Sequence, residues 1–600
     1  MIRKILLPVI FVILAYGFWL SPDFKEIAAG IAIFLFGMIA LEEGFKAFSG
    51  GLLENLLRNT TNNLWKSLSF GTLTTTIMQS SSLVSVLTIS FLSAGLIDLT
   101  AGIGIIFGAN IGTTTGAWLV AGLGLKVKIS AYAMPMLVFG VILIFQKSRT
   151  LKGIGYVLAG LGFLFLGIHH MKEGFEAFKD TIDLEAYAVP GFAGLLIFTL
   201  IGVAATVIMQ SSHATLVLII TALAAQQVTY ENALALAIGA NIGTTITAIL
   251  GAMSANVEGK RLAAAHLVFN AVTGLVAIIF IQQLITVVDY ISAATGIAED
   301  NYALKLAVFH TVFNLLGILL MIPFINKLVI FLTQTFKAPS EDLTQPKYLN
   351  DAVMEFPEAI LEAVRKETFH LYDNAFEVMA HGLNLPPKVI LSDQDLDEII
   401  RQRGRASHFD IDTQYERKVK VLHSAIVEFI SRANVNMPAA FAEQLFDLRK
   451  ASQNIVEAVK GIKHLKKNLS QFSASDNQDI QREYNNIRAQ LAGILRKLGE
   501  LRHADDNSGV MLSVDVIKVD LVKNSSHLHG VIEGLIRQHS ITAEMATSLM
   551  NDHGYAYGVA HNLLDIGSVL FSEHNPEMNN AEKTVSLDHD DIDELIRINP

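Results

Sequence analysis

Apolar segments long enough to cross a membrane recur along the first 340 residues of this chain. They lie at about 27–41, 67–97, 100–123, 130–146, 151–168, 190–224, 233–256, 262–287 and 304–334. A spanning helix needs about 20 apolar residues, so several of these segments are too short or too long for one simple span. The pattern predicts an all-α polytopic membrane domain in which the longer segments contain re-entrant hairpins or broken helices.

The first apolar run, Ile5–Leu20, follows Arg3 and Lys4 at the N-terminus. A cleaved signal peptide has the same shape. We favour a transmembrane anchor over residues 1–24, because no clean small-x-small cleavage pattern follows and further apolar segments come next. The positive-inside rule then predicts a cytoplasmic N-terminus.

The apolar pattern changes after Lys337. A polar stretch with prolines predicts a linker over 336–350. Apolar residues at three- and four-residue spacing then predict amphipathic helices at about 352–382, 412–433, 441–469, 480–503, 511–538 and 541–572. No strand pattern is convincing, so residues 351–580 are predicted to form a soluble helical bundle, followed by a flexible tail over 581–600.

Charge separates the same two regions. Residues 1–340 contain 18 Lys+Arg and 16 Asp+Glu, a net charge of +2, whereas residues 341–600 contain 27 and 40, a net charge of −13. The acidic second region argues against a nucleic-acid partner. Basic loops at 145–152 and 257–261 are cytoplasmic candidates. The chain has no cysteine, which excludes disulfides and thiol chemistry.

Three sequence blocks occur twice in the membrane region, in the same order and at nearly one offset. They are EGFKAF at 43–48 with EGFEAF at 173–178, IMQSSS at 77–82 with IMQSSH at 208–213, and GANIGTT at 108–114 and again at 239–245. The repetition predicts a duplication over about 27–146 and 157–287, within a first repeat at 25–156 and a second at 157–335. A smaller echo links AAHLVFNAVTG at 264–274 with AVFHTVFNLLG at 307–317.

The repeated motifs are rich in uncharged hydrogen-bonding groups. We expect the two glycines of each GANIGTT motif to loosen a helix, so that freed carbonyls, hydroxyls and amide oxygens can bind Na⁺. A broken helix in a membrane is tolerated where it lines a cavity or is buried in protein, and helix N-termini with hydroxyl donors suit an anion. Helix packing remains the alternative for any single Ser or Thr.

Charged residues are nearly absent around these motifs. Between Lys66 and Leu125 only Asp98 is charged, and between Ala186 and Val257 only Glu231 is charged. Both are expected near loops. An oxyanion held by neutral donors would be costly to bury unless cations bind beside it, so the sequence favours ion-coupled anion transport over a basic anion channel.

Several single residues admit two interpretations. His213 stands where the first motif has Ser82 and could bind substrate, sense pH or bond a backbone carbonyl, the interpretation that we favour slightly. For His266 and His310, each three residues before a Phe-Asn pair, we favour helix packing. The glutamates of the EGF motifs, Glu43 and Glu173, are expected at the membrane interface.

The paired Gln-Ser-Ser motifs, each followed by GANIGTT, resemble the sodium–phosphate cotransporter family of type II over about residues 25–330. The resemblance implies inverted repeats, with the Gln-Ser-Ser segments in hairpins that meet centrally, and alternating access. It implies phosphate binding by Gln79, Ser80, Ser81, Ser82, Gln210, Ser211, Ser212 and His213. It implies sodium-binding or supporting roles for Asn110, Thr113, Thr114, Asn241, Thr244 and Thr245.

The tail is similar to PhoU-type domains through NIVEAVKGIKHLKKNL at 454–469. Such domains are cytoplasmic helical bundles linked to phosphate regulation, and some bind metal through acidic helix motifs. Four residues of the tail could serve as ligands, although solvated helix faces are the favoured interpretation: Asp447, Glu457, Glu533 and His553.

The sequence therefore predicts a sodium-dependent inorganic phosphate symporter of the inner membrane with a cytosolic regulatory bundle. No cofactor is expected beyond co-transported Na⁺. A phosphate exporter, a membrane-anchored phosphate-signalling protein and a sodium-coupled carrier of another small anion remain alternatives. No P-loop, nucleophile elbow or zinc motif indicates an enzyme. The lipid bilayer is an expected partner, and a homodimer and phosphate-regulatory proteins that bind the tail are further options.

Overall fold

The computed structural model describes residues 2–48, 63–124, 129–179, 189, 191–337, 344–402, 409–433, 437–502 and 510–571. Every regular element in these ranges is helical, as the sequence predicts. The predicted tail at 581–600 and part of the predicted linker lie outside the described residues. The chain forms two compact units, Met1–Ala338 with Asn350–Glu358, and Pro339–Leu349 with Ala359–Pro600.

The first unit contains the apolar helices. In chain order they are α1 (Ile2–Leu20), α2 (Pro22–Phe48), α3 (Leu64–Met78), α4 (Ser81–Ser93), α5 (Leu99–Trp118), α6 (Ile129–Ile144), α7 (Arg149–Lys179), α8 (Gly191–Met209), α9 (Ser212–Ala224), α10 (Tyr230–Ala252), α11 (Val257–Ile279), α12 (Ile281–Ala294), α13 (Tyr302–Met321) and α14 (Ile325–Thr335). A π-helical segment, Leu119–Gly124, continues α5.

Seven candidate membrane spans occur among the described residues, by length and composition. They are Pro22–Ala47, Leu99–Gly122, Arg149–Ala177, Gly191–Met209, Tyr230–Ala252, Val257–Ile279 and Tyr302–Thr335. The chain is thus a multi-pass membrane protein. Helices α4 and α9 have 13 residues each, about 20 Å at 1.5 Å per residue, which is too short to cross a bilayer core of about 30 Å. The predicted anchor over 1–24 coincides with α1 and stays a prediction.

Glycines spaced by seven residues join α2 to α7 in antiparallel orientation. A Cβ atom built on Gly37 would lie 2.7 Å from Leu164 N and 2.8 Å from Gly160 O, and one on Gly30 would lie 2.6 Å from Met171 N. Gly44 meets the start of α7 in the same way. Small residues at this spacing let two helix backbones touch, and they fix the register of the pair along its whole length.

Each short helix folds back beside the helix that precedes it. Residues of α3 meet residues of α5 about 36 positions later, as in the hydrogen bond from Thr72 Oγ1 to Gly108 O at 3.1 Å, so these helices are parallel. Helix α4 returns in the opposite direction, because Leu92 near its end packs against Gly102 near the start of α5. Helices α3 and α4 therefore form a hairpin, and contacts of Gly202 and Gly239 between α8 and α10 place α8 and α9 in a second hairpin.

The expectation that GANIGTT loosens its helix is wrong. Helices α5 and α10 run through their motifs without a break. The motif glycines are needed for packing instead: a Cβ on Gly108 would collide with Leu68 O, and one on Gly239 with Thr199 O. The chain breaks at the Gln-Ser-Ser motifs, between α3 and α4 and between α8 and α9.

The second unit is a set of helices, with amphipathic segments where the sequence predicts them. They are α15 (Pro357–Gly382), α16 (Pro387–Ile390), α17 (Leu396–Gln402), α18 (Ile411–Gln414), α19 (Val421–Ala433), α20 (Ala439–Phe472), α21 (Gln478–Arg502), α22 (Val510–Arg537) and α23 (Ala543–Leu570).

A buried carboxylate joins three of these helices. Asp552 on α23 is 3% exposed. It accepts hydrogen bonds from Tyr484 Oη of α21 at 2.6 Å and Asn468 Nδ2 of α20 at 2.8 Å. Burial raises the pKa of the Asp552 carboxyl above its usual range, and the two hydrogen bonds oppose this shift.

Replacing Gly37 by alanine should separate α2 from α7, since the new methyl group would meet backbone atoms that cannot move independently. We expect a loss of about 1–3 kcal/mol in unfolding free energy, measured as a lower thermal unfolding temperature of the purified protein. Gly251→Ala is the control, because its Cβ would meet only Val86 Cγ2 at 3.4 Å. Equal stability of the two variants would contradict the close contact.

Asp552→Ala should destabilise the second unit, because the Tyr484 hydroxyl and the Asn468 amide would lose a buried acceptor. The expected loss is about 1–3 kcal/mol, read from chemical denaturation followed by helical circular dichroism. The exposed Asp520→Ala on α22 is the control. A change no larger than that of the control would show that the three-helix junction contributes nothing.

Candidate functional site

The first Gln-Ser-Ser motif forms the tip of the α3–α4 hairpin. Gln79 adopts a left-handed backbone conformation, φ 52° and ψ 25°, and its N–H donates to Thr75 O. Its side-chain Nε2 donates to Thr76 O at 2.6 Å and to Thr115 Oγ1 of α5 at 3.1 Å. One glutamine thus reverses the chain, binds a carbonyl near the end of α3 and attaches the tip to the helix that carries GANIGTT.

The second motif repeats this geometry at the tip of the α8–α9 hairpin. Gln210 has φ 54°, and its Nε2 donates to Val207 O at 2.5 Å. Ser211 Oγ accepts from Ala214 N at 3.1 Å and so caps α9, as Ser80 Oγ accepts from Leu83 N at 3.3 Å and caps α4. A hydroxyl on the N-cap residue just before each short helix satisfies one of the helix's free N–H groups.

His213 brings the two tips together. It lies in the first turn of α9, and its Nδ1 is 3.2 Å from the carbonyl oxygen of Gln79. Because a carbonyl only accepts, Nδ1 carries the proton in this contact. The ring also meets Phe34 of α2 edge to face, with 5.7 Å between centroids. His213 therefore bonds a backbone carbonyl, the interpretation favoured from the sequence.

The remaining serines lie at the starts of the two short helices. Ser81 and Ser82 open α4 and are half-buried, whereas Ser212 opens α9 and is buried. Gln210 is exposed on the surface of the described chain. The first N–H groups of a helix have no intrahelical partner, so this region offers backbone and hydroxyl donors together.

Most polar groups of the GANIGTT motifs bond to their own helix. Thr113 Oγ1 donates to Ala109 O, Thr244 Oγ1 to Ala240 O, and Thr245 Oγ1 to Ile242 O, at 2.7–3.0 Å. Asn110 Nδ2 donates to Ile106 O at 2.9 Å. Thr114 is buried. A threonine that donates its only proton backwards keeps oxygen lone pairs available to a cation.

Asn241 differs from Asn110 because it belongs to a buried network between α10 and α13. Its Nδ2 donates to Asn314 Oδ1 at 2.9 Å, and its Oδ1 lies 3.1 Å from His310 Nε2. His310 thus joins two helices, as predicted, but through a motif residue. At the related positions on α11, Asn270 Oδ1 and His266 Nδ1 are buried without a hydrogen-bond partner among the described residues.

No charged side chain from the motif-bearing helices lies beside the hairpin tips or the GANIGTT motifs. Asp98 caps the start of α5, and Glu231 lies exposed in the first turn of α10. One arginine and one lysine of the described first unit are buried, and each forms its ion pair or hydrogen bonds away from the hairpin tips. Arg261 bonds Glu258 and Phe336 O, while Lys305 pairs with Asp289 at 2.8 Å.

Sequence reasoning missed three residues at the tips. Thr115 holds the Gln79 side chain, Met38 Sδ is 3.6 Å from Ser211 Oγ, and Gly116 makes room for His213. Thr115 and Gly116 directly follow the first GANIGTT motif, so the motif's continuation was the available signal. No sequence signal pointed to Met38, because its contact with Ser211 depends on how α2 packs.

The sequence of the first unit is similar to a known family. A family described as Na⁺/Pi-cotransporter matches residues 33–173 and 194–308, which include both hairpins and both GANIGTT helices. The membrane unit is therefore similar to members of the Na⁺/Pi-cotransporter family. This is a transporter family and not an enzyme family, as the sequence predicts. The helical second unit lies outside the match, so its likeness to PhoU-type domains stays a prediction.

Curated relatives span parts of the chain. The "Uncharacterized protein YqeW" of Bacillus subtilis is 29% identical over 285 residues, 46% of this chain and 87% of the relative. The "Putative inorganic phosphate export protein YjbB" of Escherichia coli K12 is 27% identical over 363 residues, 60% of this chain. The chain covers 64% of that relative's length. The protein of the same name from Salmonella typhimurium is 25% identical over 362 residues, 60% of this chain and 64% of the relative. No solved structure matches.

Gly116→Ala should push the two tips apart, since a Cβ there would collide with the His213 ring and lie 2.9 Å from Gln79 Oε1. We expect a lower thermal unfolding temperature, equivalent to about 1–3 kcal/mol. Gly122→Ala in the adjoining π-helical segment is the matched control, because its Cβ would meet nothing within 4 Å. If both variants melted like the parent, the contact between the tips would not exist.

Proposed function

We propose that this protein is a sodium-dependent phosphate symporter of the inner membrane that works by alternating access. The proposal rests chiefly on one observation: two hairpin tips meet through His213 and Gln79 inside the membrane unit. Each tip begins a short helix, and helix N-termini attract anions through their free N–H groups and dipole. Phosphate would bind among Gln79, Ser80, Ser81, Ser82, Gln210, Ser211, Ser212 and His213.

Sodium is the counter-charge in this proposal. Residues 67–124 and 191–256 contain no Lys or Arg, so no protein cation can neutralise a bound phosphate there. Burying an unpaired anion costs on the order of several kcal/mol. A Na⁺ ion held by neighbouring oxygens would offset that cost, and phosphate and Na⁺ would then bind together better than either binds alone.

The sodium ligands would come from the GANIGTT helices. Thr113, Thr244 and Thr245 donate their hydroxyl protons to helix carbonyls, which leaves oxygen lone pairs for a hard cation. Asn110 and Thr114 occupy the same stretch of α5. Asn241 is better suited to a supporting role than to direct Na⁺ binding, because its amide nitrogen and oxygen already contact Asn314 and His310.

An inverted arrangement of the two repeats is part of the proposal, and contacts at the hairpin ends support it. Helix α4 ends beside α11, where Asn256 Nδ2 donates to Ser93 O at 2.9 Å, and Phe91 packs on Phe356. Helix α9 ends in another place, where Ala225 packs with Ile27 and Phe175. Ile27 and Phe175 lie at the start of α2 and the end of α7.

Those two places are at opposite ends of the α2–α7 pair. Glu358 lies two residues after Phe356. Burial raises the pKa of its carboxyl, while a backbone hydrogen bond and the charge of Arg149 at the start of α7 lower it, so Glu358 lies near Arg149. Helix α7 has 31 residues, about 45 Å. The short helices α4 and α9 therefore run away from the tips in opposite directions.

The basic loops suggest which end is cytoplasmic. Five basic residues lie near the end of the membrane unit at which α4 terminates: Lys147, Arg149, Lys152, Lys260 and Arg261. By the positive-inside rule this end faces the cytoplasm, as would the helical second unit that follows. The proposed domains are those predicted from the sequence, with an anchor at 1–24, two repeats at 25–156 and 157–335, a linker at 336–350 and a PhoU-like domain at 351–580.

We propose a regulatory role for the second unit, which would sense phosphate status and limit transport. The chain that enters it is attached firmly: the backbone N–H groups of Lys347 and Tyr348 donate to Glu367 Oε2 at 2.8 and 2.9 Å. Glu367 is fully buried and also pairs with His370 at 2.7 Å. A fixed entry segment would transmit movement of the bundle to the linker.

Phosphate export is the second candidate function, because the YjbB relatives are named for it. A symporter is reversible, so the gradients of Na⁺ and phosphate would set the direction of net flux. A signalling protein that transports little and a sodium-coupled carrier of a carboxylate or arsenate are two further candidates, and flux measurements separate them from a phosphate symporter.

The test is labelled phosphate flux in proteoliposomes that hold the full chain. An inward Na⁺ gradient should drive phosphate uptake above that seen with K⁺, and reversing the gradient should drive release. Equal phosphate flux with and without Na⁺ would overturn the proposal of a sodium-dependent symporter. No flux in either direction would favour signalling, and competition by carboxylates would favour another cargo.

Ser81→Ala should lower phosphate affinity about 10- to 100-fold, since a hydrogen bond to a charged group contributes about 1.5–3 kcal/mol. The measurement is the concentration dependence of sodium-driven uptake. Ser90→Ala is the matched control, because Ser90 is a buried serine near the other end of α4. For the second tip Gln210→Asn is preferable to Gln210→Ala, because asparagine tolerates the positive φ.

Normal uptake by both Ser81→Ala and Gln210→Asn would contradict the site assignment. Unfolding would be recognised separately by the thermal unfolding temperature, which should stay near that of the parent for Ser81→Ala. If Ser90→Ala lost as much affinity as Ser81→Ala, the effect would belong to packing of α4 and not to phosphate.

A further inference from the structure

We propose that the protein has a binding site for a divalent transition-metal ion, with Zn²⁺ the best match, at the end of the α2–α7 pair away from Arg149. The ligands are Glu26 of α2 and His170 and Glu173 of α7. Their carboxylate oxygens and imidazole nitrogen all lie within 4.8 Å of one another. Among the described residues this is the one such group, and it does not include Asp447, Glu457, Glu533 or His553 of the second unit.

The spacing of the three residues brings them to one place. His170 and Glu173 are three positions apart and share a face of α7, while Glu26 reaches them from the second turn of α2. His170 Nδ1 lies 2.5 Å from Glu26 Oε1. Two ligands bound to one Zn²⁺ at about 2.0–2.1 Å are about 3.3 Å apart, so small side-chain rotations would complete the site.

The backbone around the group is fixed by close glycine contacts on both sides. A Cβ on Gly30 would lie 2.6 Å from Met171 N, and one on Gly174 would lie 2.8 Å from Ile27 N. The ligands therefore project from two helices whose separation and register cannot vary. Such preorganisation favours metal binding, because little order must be created when the ion arrives.

The donor set identifies the class of ion. One imidazole nitrogen with two carboxylate oxygens suits Zn²⁺ or Mn²⁺, whereas Na⁺, Mg²⁺ and Ca²⁺ prefer oxygen alone. The two carboxylates supply negative charge, which suits a divalent cation. His169 Nε2 lies 3.3 Å from Glu173 Oε1 and would orient that carboxylate, as outer partners of metal ligands do.

The surrounding protein does not enclose the group. The Glu26 and Glu173 side chains are 45% and 56% exposed, and that of His170 is 31% exposed. An ion can therefore enter without unfolding and keep water on its remaining positions, as in three-ligand zinc sites. Under the proposed orientation this end faces away from the cytoplasm, so the ion would come from outside the cell.

A bound ion would tie the start of α2 to the end of α7 beside the end of α9. Ile27, next to Glu26, and Phe175, two residues after Glu173, pack with Ala225 there. The first EGF motif has no matching group, because Glu43 pairs with Lys46 at 3.4 Å, and Ala40 stands at the position that corresponds to His170.

Equilibrium dialysis of the purified full chain against Zn²⁺ at about pH 7.5 tests the site, with thermal unfolding as a second readout. His170→Ala and Glu26→Gln should each weaken one binding event at least about tenfold and remove the matching rise in unfolding temperature. Mg²⁺ should give no shift.

Two neighbours serve as matched controls. Glu176→Gln removes a carboxylate that pairs with Lys172 one turn along α7, and His169→Ala removes the adjacent imidazole. Glu176→Gln should retain the binding event with unchanged Zn²⁺ affinity. His169→Ala should also retain it, with a smaller loss of Zn²⁺ affinity than His170→Ala shows. If His170→Ala failed to fold, the exposed Glu173→Gln would replace it. Zn²⁺ binding equal to the parent in His170→Ala and Glu173→Gln would overturn the proposal whatever the transport activity.

Discussion

A helix that ends inside a bilayer leaves backbone N–H and C=O groups without water, and each unpartnered group costs several kcal/mol. In the arrangement proposed for the membrane unit, two helices end in this way, at Gln79 and Gln210. Glutamine amides bond carbonyls near the end of one helix, serine hydroxyls cap the next, and His213 bonds a carbonyl across the junction. The same local chemistry that makes these ends tolerable leaves other donors available to an anion.

The position of the tips depends on glycine. Helices α3 and α5, and likewise α8 and α10, touch through backbone at Gly108 and Gly239. Because these contacts fix the register of each hairpin against its neighbour, they place Gln79 beside Thr115. The α2–α7 pair is joined in the same way and supports the second tip through Phe34 and Met38. Larger side chains at the glycines would separate the helices and move the tips.

Sequence reasoning predicted the division into a membrane region and a helical C-terminal region, and most helix positions in the latter. It placed the helix break at GANIGTT, because glycine is flexible in isolation, whereas Gly108 and Gly239 serve close packing in unbroken helices. The family resemblance implied hairpins at the Gln-Ser-Ser motifs, whereas the local sequence carried no signal for the break at Gln79, because glutamine seldom adopts a positive φ. Long-range partners such as Met38 and Asn314 could not be predicted, since they depend on helix register and leave no local pattern.

The central claim is that uncharged groups hold phosphate only with a cation beside it. Phosphate binding to the purified protein, measured by calorimetry in Na⁺ and then in K⁺ at equal ionic strength, tests that claim without any need for transport. We expect binding in Na⁺ that weakens at least about tenfold in K⁺, which corresponds to about 1.4 kcal/mol or more of coupling. Equal phosphate affinity in the two salts would contradict the account.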